Sequence, residues 1–103
     1  MAGFVTVGAT DEVDEGSVAT FTVEGAKIAI ARVEGRLYAF DDVCSHMGCP
    51  LSTGELEGAS IECECHGSVF SVVTGAVEAP PATDPIETYP VREDGGRIQL
   101  EIP

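Results

Sequence analysis

The four cysteines and two histidines of this chain all fall between Cys44 and His66. Four of the six form two short clusters, Cys44-x-His46 and Cys63-x-x-His66, with 16 residues between His46 and Cys63. Scarce residue types gathered in one segment point to a chemical task for that segment. Two thiolates and two imidazoles are a sensible donor set for zinc or for an iron–sulfur centre, and the spacing favours the second. If all four side chains serve one centre, two loops must meet at a point and the remaining chain must hold them there. A metal centre tying two loops together also stabilises a chain too small for a large core.

The flanking sequence reads as strands. Residues 1–103 leave room for one domain. With 12 Gly and 6 Pro but only 5 Lys and Arg, the composition suits short strands and turns rather than long helices. Phe4–Val7 is a first strand, followed by an acidic turn over Thr10–Gly16. In Val18–Val23, Val18, Thr20 and Thr22 alternate with Ala19, Phe21 and Val23, as on a half-buried strand. Lys27–Val33 and Leu37–Phe40 form a hairpin across Glu34-Gly35. Ile28, Ile30 and Arg32 share one side of the first arm, and Lys27, Ala29, Ala31 and Val33 the other. Leu37 and Ala39 face away from Tyr38 and Phe40, an aromatic pair expected in the core, while Arg32 is expected to extend past the sheet edge.

Glu55–Glu57 and Ser60–Glu62 are short strands about a turn at Gly58-Ala59, and the second brings Cys63 into its loop. Ser68–Val73 is expected as a strand with Phe70 and Val72 inward, and Val77 as a brief apolar contact after a turn at Gly75. Ala79-Pro80-Pro81-Ala82 cannot be a central strand, because Pro lacks a ladder donor, and is expected as an ordered connection beside the ligand loops. Ile86–Val91 and Arg97–Ile102 close the chain as a hairpin across Glu93-Asp94-Gly95-Gly96. No segment combines helical periodicity with caps.

The formal charge of −13 excludes some partners. Binding to a phosphate backbone requires Lys and Arg that release counterions, so nucleic acid and anionic membranes are poor candidates. An acidic surface suits a basic protein partner, whose encounter it accelerates, and equally serves solubility or life in salt. No Lys or Arg occurs from Leu37 to Val91, whereas nine acidic residues do, so the charge surrounds the ligand clusters. The N-terminal sequence has neither a basic n-region nor a long apolar core, and no run of about 18 apolar residues occurs, so a cytoplasmic protein is expected.

Cys44-Ser45-His46-Met47-Gly48-Cys49-Pro50-Leu51 and Cys63-Glu64-Cys65-His66-Gly67-Ser68 resemble the two halves of the Rieske motif. There, two Cys bind one iron of a [2Fe-2S] cluster and two His bind the other. The chain is similar to the small ferredoxins that serve bacterial aromatic-ring dioxygenases, strongly over residues 41–71 and more loosely elsewhere. The resemblance implies an all-β, Rieske-like fold of stacked antiparallel sheets, with a cluster-binding subdomain over about residues 41–81 formed by two β-loops. It implies Cys44 and Cys63 on the inner iron and His46 and His66 on the outer iron. Two ferric ions, two sulfides and two thiolates sum to zero charge, so reduction is easier than in a four-thiolate cluster. Rieske potentials accordingly span roughly −150 to +300 mV, against about −400 mV for plant-type clusters.

Further roles follow from the same resemblance. The outward His46 and His66, with Met47 beside them, form the expected docking rim and electron exit. Gly48, Gly67 and Pro50 set loop shape, with Pro50-Leu51 covering the cluster. Ser68 stands where high-potential relatives place a hydroxyl that donates to a sulfide, and Phe70 where they place a Tyr donor. With one donor present and one absent, the expected potential lies below that of respiratory Rieske proteins. Those proteins carry a disulfide at the positions of Cys49 and Cys65, so the resemblance implies one here. Many dioxygenase ferredoxins lack the pair, and disulfides are unusual in the cytosol.

Both histidines are used by the motif, so none remains for a mononuclear 2-His-1-carboxylate iron site. The expectation is a carrier, not an enzyme. It would pass single electrons from an NAD(P)H-dependent ferredoxin reductase to a terminal Rieske oxygenase. Two other readings stay open at this level, a small Rieske subunit of a nitrite reductase-type enzyme and a zinc-stabilised protein-binding module.

Overall fold

The computed structural model describes residues 3–44, 49–65 and 67–101. They form eleven strands in three sheets, with every named strand pairing antiparallel. In chain order the strands are β1 (Phe4–Ala9), β2 (Val18–Val23), β3 (Ala26–Val33), β4 (Arg36–Asp41), β5 (Glu55–Glu57) and β6 (Ser60–Glu62). They continue with β7 (Val69–Ser71), β8 (Val77–Ala79), β9 (Thr88–Tyr89), β10 (Val91–Asp94) and β11 (Arg97–Glu101). The sheets run β1-β11-β10, β2-β3-β4-β9 and β5-β6-β7-β8.

The β2-β3-β4-β9 sheet lies in the middle, because β3 is apolar on both faces. Ile28, Ala29, Ile30 and Ala31 are each wholly buried. Ile28 and Ile30 pack with Ala39, Val13, Val23, Ile98 and Leu100, which joins this sheet to β1-β11-β10. Ala29, Ala31, Val33 and Phe40 face the opposite way and pack with Leu51, Ile61, Phe70, Val72, Cys44 and Cys63. The period-2 geometry of a strand thus assigns alternate residues of β3 to two different cores. The sides expected for Ile28, Ile30, Ala29, Ala31, Val33, Tyr38 and Phe40 match this arrangement.

Both hairpins of the central sheet turn in two residues with positive φ, Glu24-Gly25 (50° and 83°) and Glu34-Gly35 (51° and 79°). These are type I′ turns, whose twist suits adjoining strands and which favour Gly at the second position. The Glu15 carboxylate accepts the Glu34 and Gly35 N–H groups at 2.7 Å each, and so caps the second turn. Arg32 reaches beyond its strand as expected, and it reaches specific acceptors. Its Nε donates to Val13 O (2.8 Å), and its Nη2 to Thr10 O (3.1 Å) and to Glu93 Oε1 (2.7 Å). This one guanidinium ties the central sheet to the acidic turn and to β10.

The structure corrects three expectations. The strand from Ser68 ends at Ser71, because Ser71 begins a turn in which its carbonyl accepts the Gly75 N–H at 2.8 Å and its Oγ accepts from Val73 and Thr74. Val72 is nevertheless buried, as expected. Val77 belongs to a strand, β8, which adds to the edge of β7 and stops before Pro80. The segment Ile86–Val91 divides at Pro90: Thr88 and Tyr89 pair with β4, while Val91 onward pairs with β11. Proline offers no ladder donor, and the chain changes sheets there.

Candidate metal centre

Two loops enter the core on the Ala29, Ala31 and Phe40 side of the central sheet. The first runs from the end of β4 to a 3-10 turn at Leu51–Thr53, and the second joins β6 to β7. Each is closed at its base in the same way. The Cys44 N–H donates to Cys49 O and the Cys63 N–H donates to Ser68 O, both at 2.7 Å and both across five residues. In the second loop the Gly67 N–H also donates to Cys63 O at 2.9 Å. Cys44 and Cys63 are buried and outside any disulfide. Both belong to the cluster of Leu51, Ile61, Phe70 and Ala82, so the bases of the loops are dry.

Cys49 and Cys65 are joined by a disulfide that links the two loops. The sulfurs of Cys49, Cys63 and Cys65 lie within 4.8 Å of one another. Two of these three sulfurs are consumed by the disulfide and offer no thiolate, so this trio is not itself a metal site. It does put the Cys63 sulfur beside the bond that holds the loops together. His46, His66, Met47 and Gly48 lie outside the described residues.

Ser68 is wholly buried, and its Oγ accepts the Ala82 N–H at 3.0 Å. Ala82 follows Pro80-Pro81, so the proline segment does lie against the second loop. The bond from Ala82 uses the Ser68 oxygen as acceptor and leaves the role of its hydroxyl proton to the proposal below. Phe70, in place of the absent tyrosine donor, is wholly buried in the core. Pro50 is exposed and precedes the 3-10 turn, while Leu51 is wholly buried in the core between the sheets. Gly54 makes the approach of the two loops possible: a Cβ there would stand 1.8 Å from the carbonyl oxygen of Glu62, the residue before Cys63.

One group was not singled out from sequence. Asp42, only 6% exposed, precedes the first loop. Its Oδ1 accepts the Ser52 N–H, and its Oδ2 accepts from the hydroxyls of Ser52 and Thr20, all at 2.7 Å. An acidic residue before Cys44 and a serine after Cys49 are visible in the sequence, but the partner on β2 lies 22 residues away and carries no local signal. Nearby, the Tyr89 hydroxyl donates to Asp41. Burial, then the adjacent carboxylate, push the Tyr89 phenol above its ordinary pKa.

The outward face of the β5–β8 sheet is acidic. Glu55, Glu57, Glu62 and Glu78 are exposed, and Glu55 stands directly opposite Glu62 across the ladder. Like charges in that position oppose pairing.

The family model for the Rieske [2Fe-2S] domain matches residues 3–90. The chain belongs to the Rieske [2Fe-2S] domain family. Its cysteine motif and the buried, loop-borne Cys44 and Cys63 suit a [2Fe-2S] cluster. It is 43% identical over 91 residues to the ferredoxin component of the naphthalene 1,2-dioxygenase system of Pseudomonas aeruginosa, covering 88% of each chain. Among solved structures it resembles the Sphingomonas yanoikuyae B1 ferredoxin, with a TM-score of 0.92, 30% identity, and 98% of this chain and 100% of that chain covered. It also resembles a chain in the complex of reduced oxygenase and oxidised ferredoxin of carbazole 1,9a-dioxygenase. There the TM-score is 0.88 with 33% identity, and 94% of this chain and 91% of that chain are covered. The stacked all-β architecture is thus the Rieske fold.

Proposed function

We propose that this chain is the electron-transfer ferredoxin component of an aromatic-ring-hydroxylating dioxygenase system, a carrier rather than a catalyst. It takes electrons from an NAD(P)H-dependent ferredoxin reductase and delivers them to a terminal Rieske oxygenase, in the cytoplasm. The carrying observation is the pair of buried cysteines, Cys44 and Cys63, on adjacent loops closed by the same backbone bond. Extended similarity to dioxygenase ferredoxins supports the system, and the solved oxygenase–ferredoxin complex of a relative supports the oxygenase as partner.

In this reading, residues 1–103 are one domain, with a cluster-binding subdomain over about residues 41–81. Cys44 and Cys63 hold one iron, and His46 and His66 the other. When bound, the cluster takes up and releases one electron at a time. The protein's own groups set the terms. Leu51, Ile61 and Phe70 keep water from the inner side of the loops. Ser68 directs its hydroxyl proton at the centre, which favours added negative charge. Gly67 brings backbone N–H groups close, and the Cys49–Cys65 bond fixes the loops against each other. His46, His66 and Met47 form the docking rim. The excess of carboxylates from Leu37 to Val91 steers this end of the molecule toward a basic partner surface. Among the described residues no helix is long and apolar enough to cross a membrane.

The test counts iron and sulfide on protein purified without added metal, and then records the EPR spectrum after dithionite. About two iron and two sulfide per chain, with a rhombic signal averaging near g ~1.9, is the expected result. Stopped-flow mixing with a ferredoxin reductase and then with a terminal oxygenase should show sequential reduction and reoxidation. A colourless, EPR-silent protein holding one zinc would refute the carrier.

A further inference from the structure

Asp42 is placed to do more than fill a gap in the core. It sits two residues before Cys44, and Ser52 sits three residues after Cys49, so the pair brackets the first loop. Ser52 gives both its backbone N–H and its hydroxyl to the Asp42 carboxylate. This draws the loop's exit onto its entrance, just outside the Cys44–Cys49 backbone bond. The third bond decides where the loop is held. Thr20 lies on β2, in the central sheet, and its Oγ1 is 2.7 Å from Asp42 Oδ2 and 2.6 Å from Ser52 Oγ. Two hydroxyl protons are shared among three close oxygen pairs, so no member of the triangle can rotate without breaking a bond of another. The Asp42 N–H also donates to Lys27 O on β3 at 3.1 Å.

The second loop has a comparable anchor in Ser68, which is bound to the Ala82 N–H. The first loop is fastened by a different chemistry, a buried carboxylate. Such a group must keep its hydrogen bonds or carry a large desolvation cost. That makes the Asp42 tie far less yielding than an exposed ion pair.

We propose that Asp42, with Ser52 and Thr20, is a positioning device that locks the first cluster loop to the central sheet. Through Cys44, it fixes how firmly the cluster is held and how little the loop moves when the charge changes. The inference rests on the Rieske reading but not on any partner. Groups that orient a metal's ligands typically alter metal affinity or activity by about 10- to 100-fold when removed.

The experiment compares purified cluster-loaded wild type with Asp42→Ala, Asp42→Asn and Thr20→Val. It measures the rate of cluster release to a chelator from the decay of visible absorbance, the reduced EPR spectrum, the reduction potential and the melting temperature. Thr20→Val keeps a β-branched shape on β2, so it tests the tie even if Asp42→Ala fails to fold. The expected result is release about 10- to 100-fold faster in Asp42→Ala, with Thr20→Val and Asp42→Asn between it and wild type. Broadened or shifted g-values should appear in the same order. Asp42→Ala and Thr20→Val that lower only the melting temperature, with release rate and EPR spectrum as in wild type, would overturn the proposal. Wild type that holds no cluster would overturn the proposal and the Rieske reading together. Failure of electron transfer to a partner, with altered release in the variants, would count against the proposed function alone.

Discussion

Replacing Ser68 by Ala isolates one hydroxyl at the centre of the second loop. The backbone bond from Cys63 N–H to Ser68 O is untouched, so the loop keeps its closure. The loss is the acceptor for the Ala82 N–H, at 3.0 Å, in a place where Ser68 is wholly buried and Ala82 is 3% exposed. An orphaned buried donor costs about 1–3 kcal/mol. At about 2 kcal/mol, and about 4–8 °C per kcal/mol for a domain near this size, the melting temperature should fall by about 8–16 °C. Loss of the hydroxyl proton should also lower the reduction potential, because a donor to the centre stabilises the added electron. Thermal unfolding followed by circular dichroism measures the first effect, and redox titration of the visible spectrum the second. Ser60→Ala is the control, since it removes an exposed hydroxyl bound to Glu78 and should change neither. A melting temperature within about 2 °C of wild type would refute the reasoning. It would mean that the Ala82 N–H finds water or another acceptor.

Arg32→Met should destabilise by about 2–3 kcal/mol in urea titrations, because it strips charged donors from the Val13 and Thr10 carbonyls. Glu93→Gln should cost less than about 1 kcal/mol, because that ion pair is partly open to solvent. The hydrogen bond from Arg32 holds the Glu93 carboxyl below its ordinary range. Its contribution is therefore complete above the unfolded value of about 4.3, and is lost as pH falls through the lower folded value. The Gln variant should flatten stability against pH in that acid window. Tyr89 has the opposite sign of dependence. Its phenol is pushed up in the folded protein, so stability should decline as pH rises beyond about 10, where the unfolded chain ionises first. Tyr89→Phe should remove that decline, as read from melting temperatures across the alkaline range. Reducing the Cys49–Cys65 bond, whose partners are 16 apart in sequence, should cost about 3 kcal/mol by loop-closure entropy and speed cluster release, as checked by thiol titration alongside unfolding.

Local chemistry made much of this protein legible from its residues alone. The spacing of Cys44, His46, Cys63 and His66 pointed to the family, because residue type and order are properties of the chain itself. The alternation along β3 and β4 separated Ile28, Ile30 and Ala39 from Ala29, Ala31 and Phe40, since a strand's period of two fixes which side each Cβ takes. The Glu34-Gly35 turn marked its hairpin for an equally local reason, the φ values that a two-residue connection needs. Tertiary structure decided what depends on distant partners. Val77 is a strand only because β7 offers an open edge, and Thr88-Tyr89 leaves the last hairpin because β4 has an edge to fill. Arg32 finds its acceptors in segments that meet only after the sheets have stacked. Asp42 is an ordinary loop carboxylate in the sequence. It becomes an anchor when Thr20, 22 residues earlier, arrives beside it, because a hydrogen bond depends on distance in space and leaves no trace in spacing along the chain.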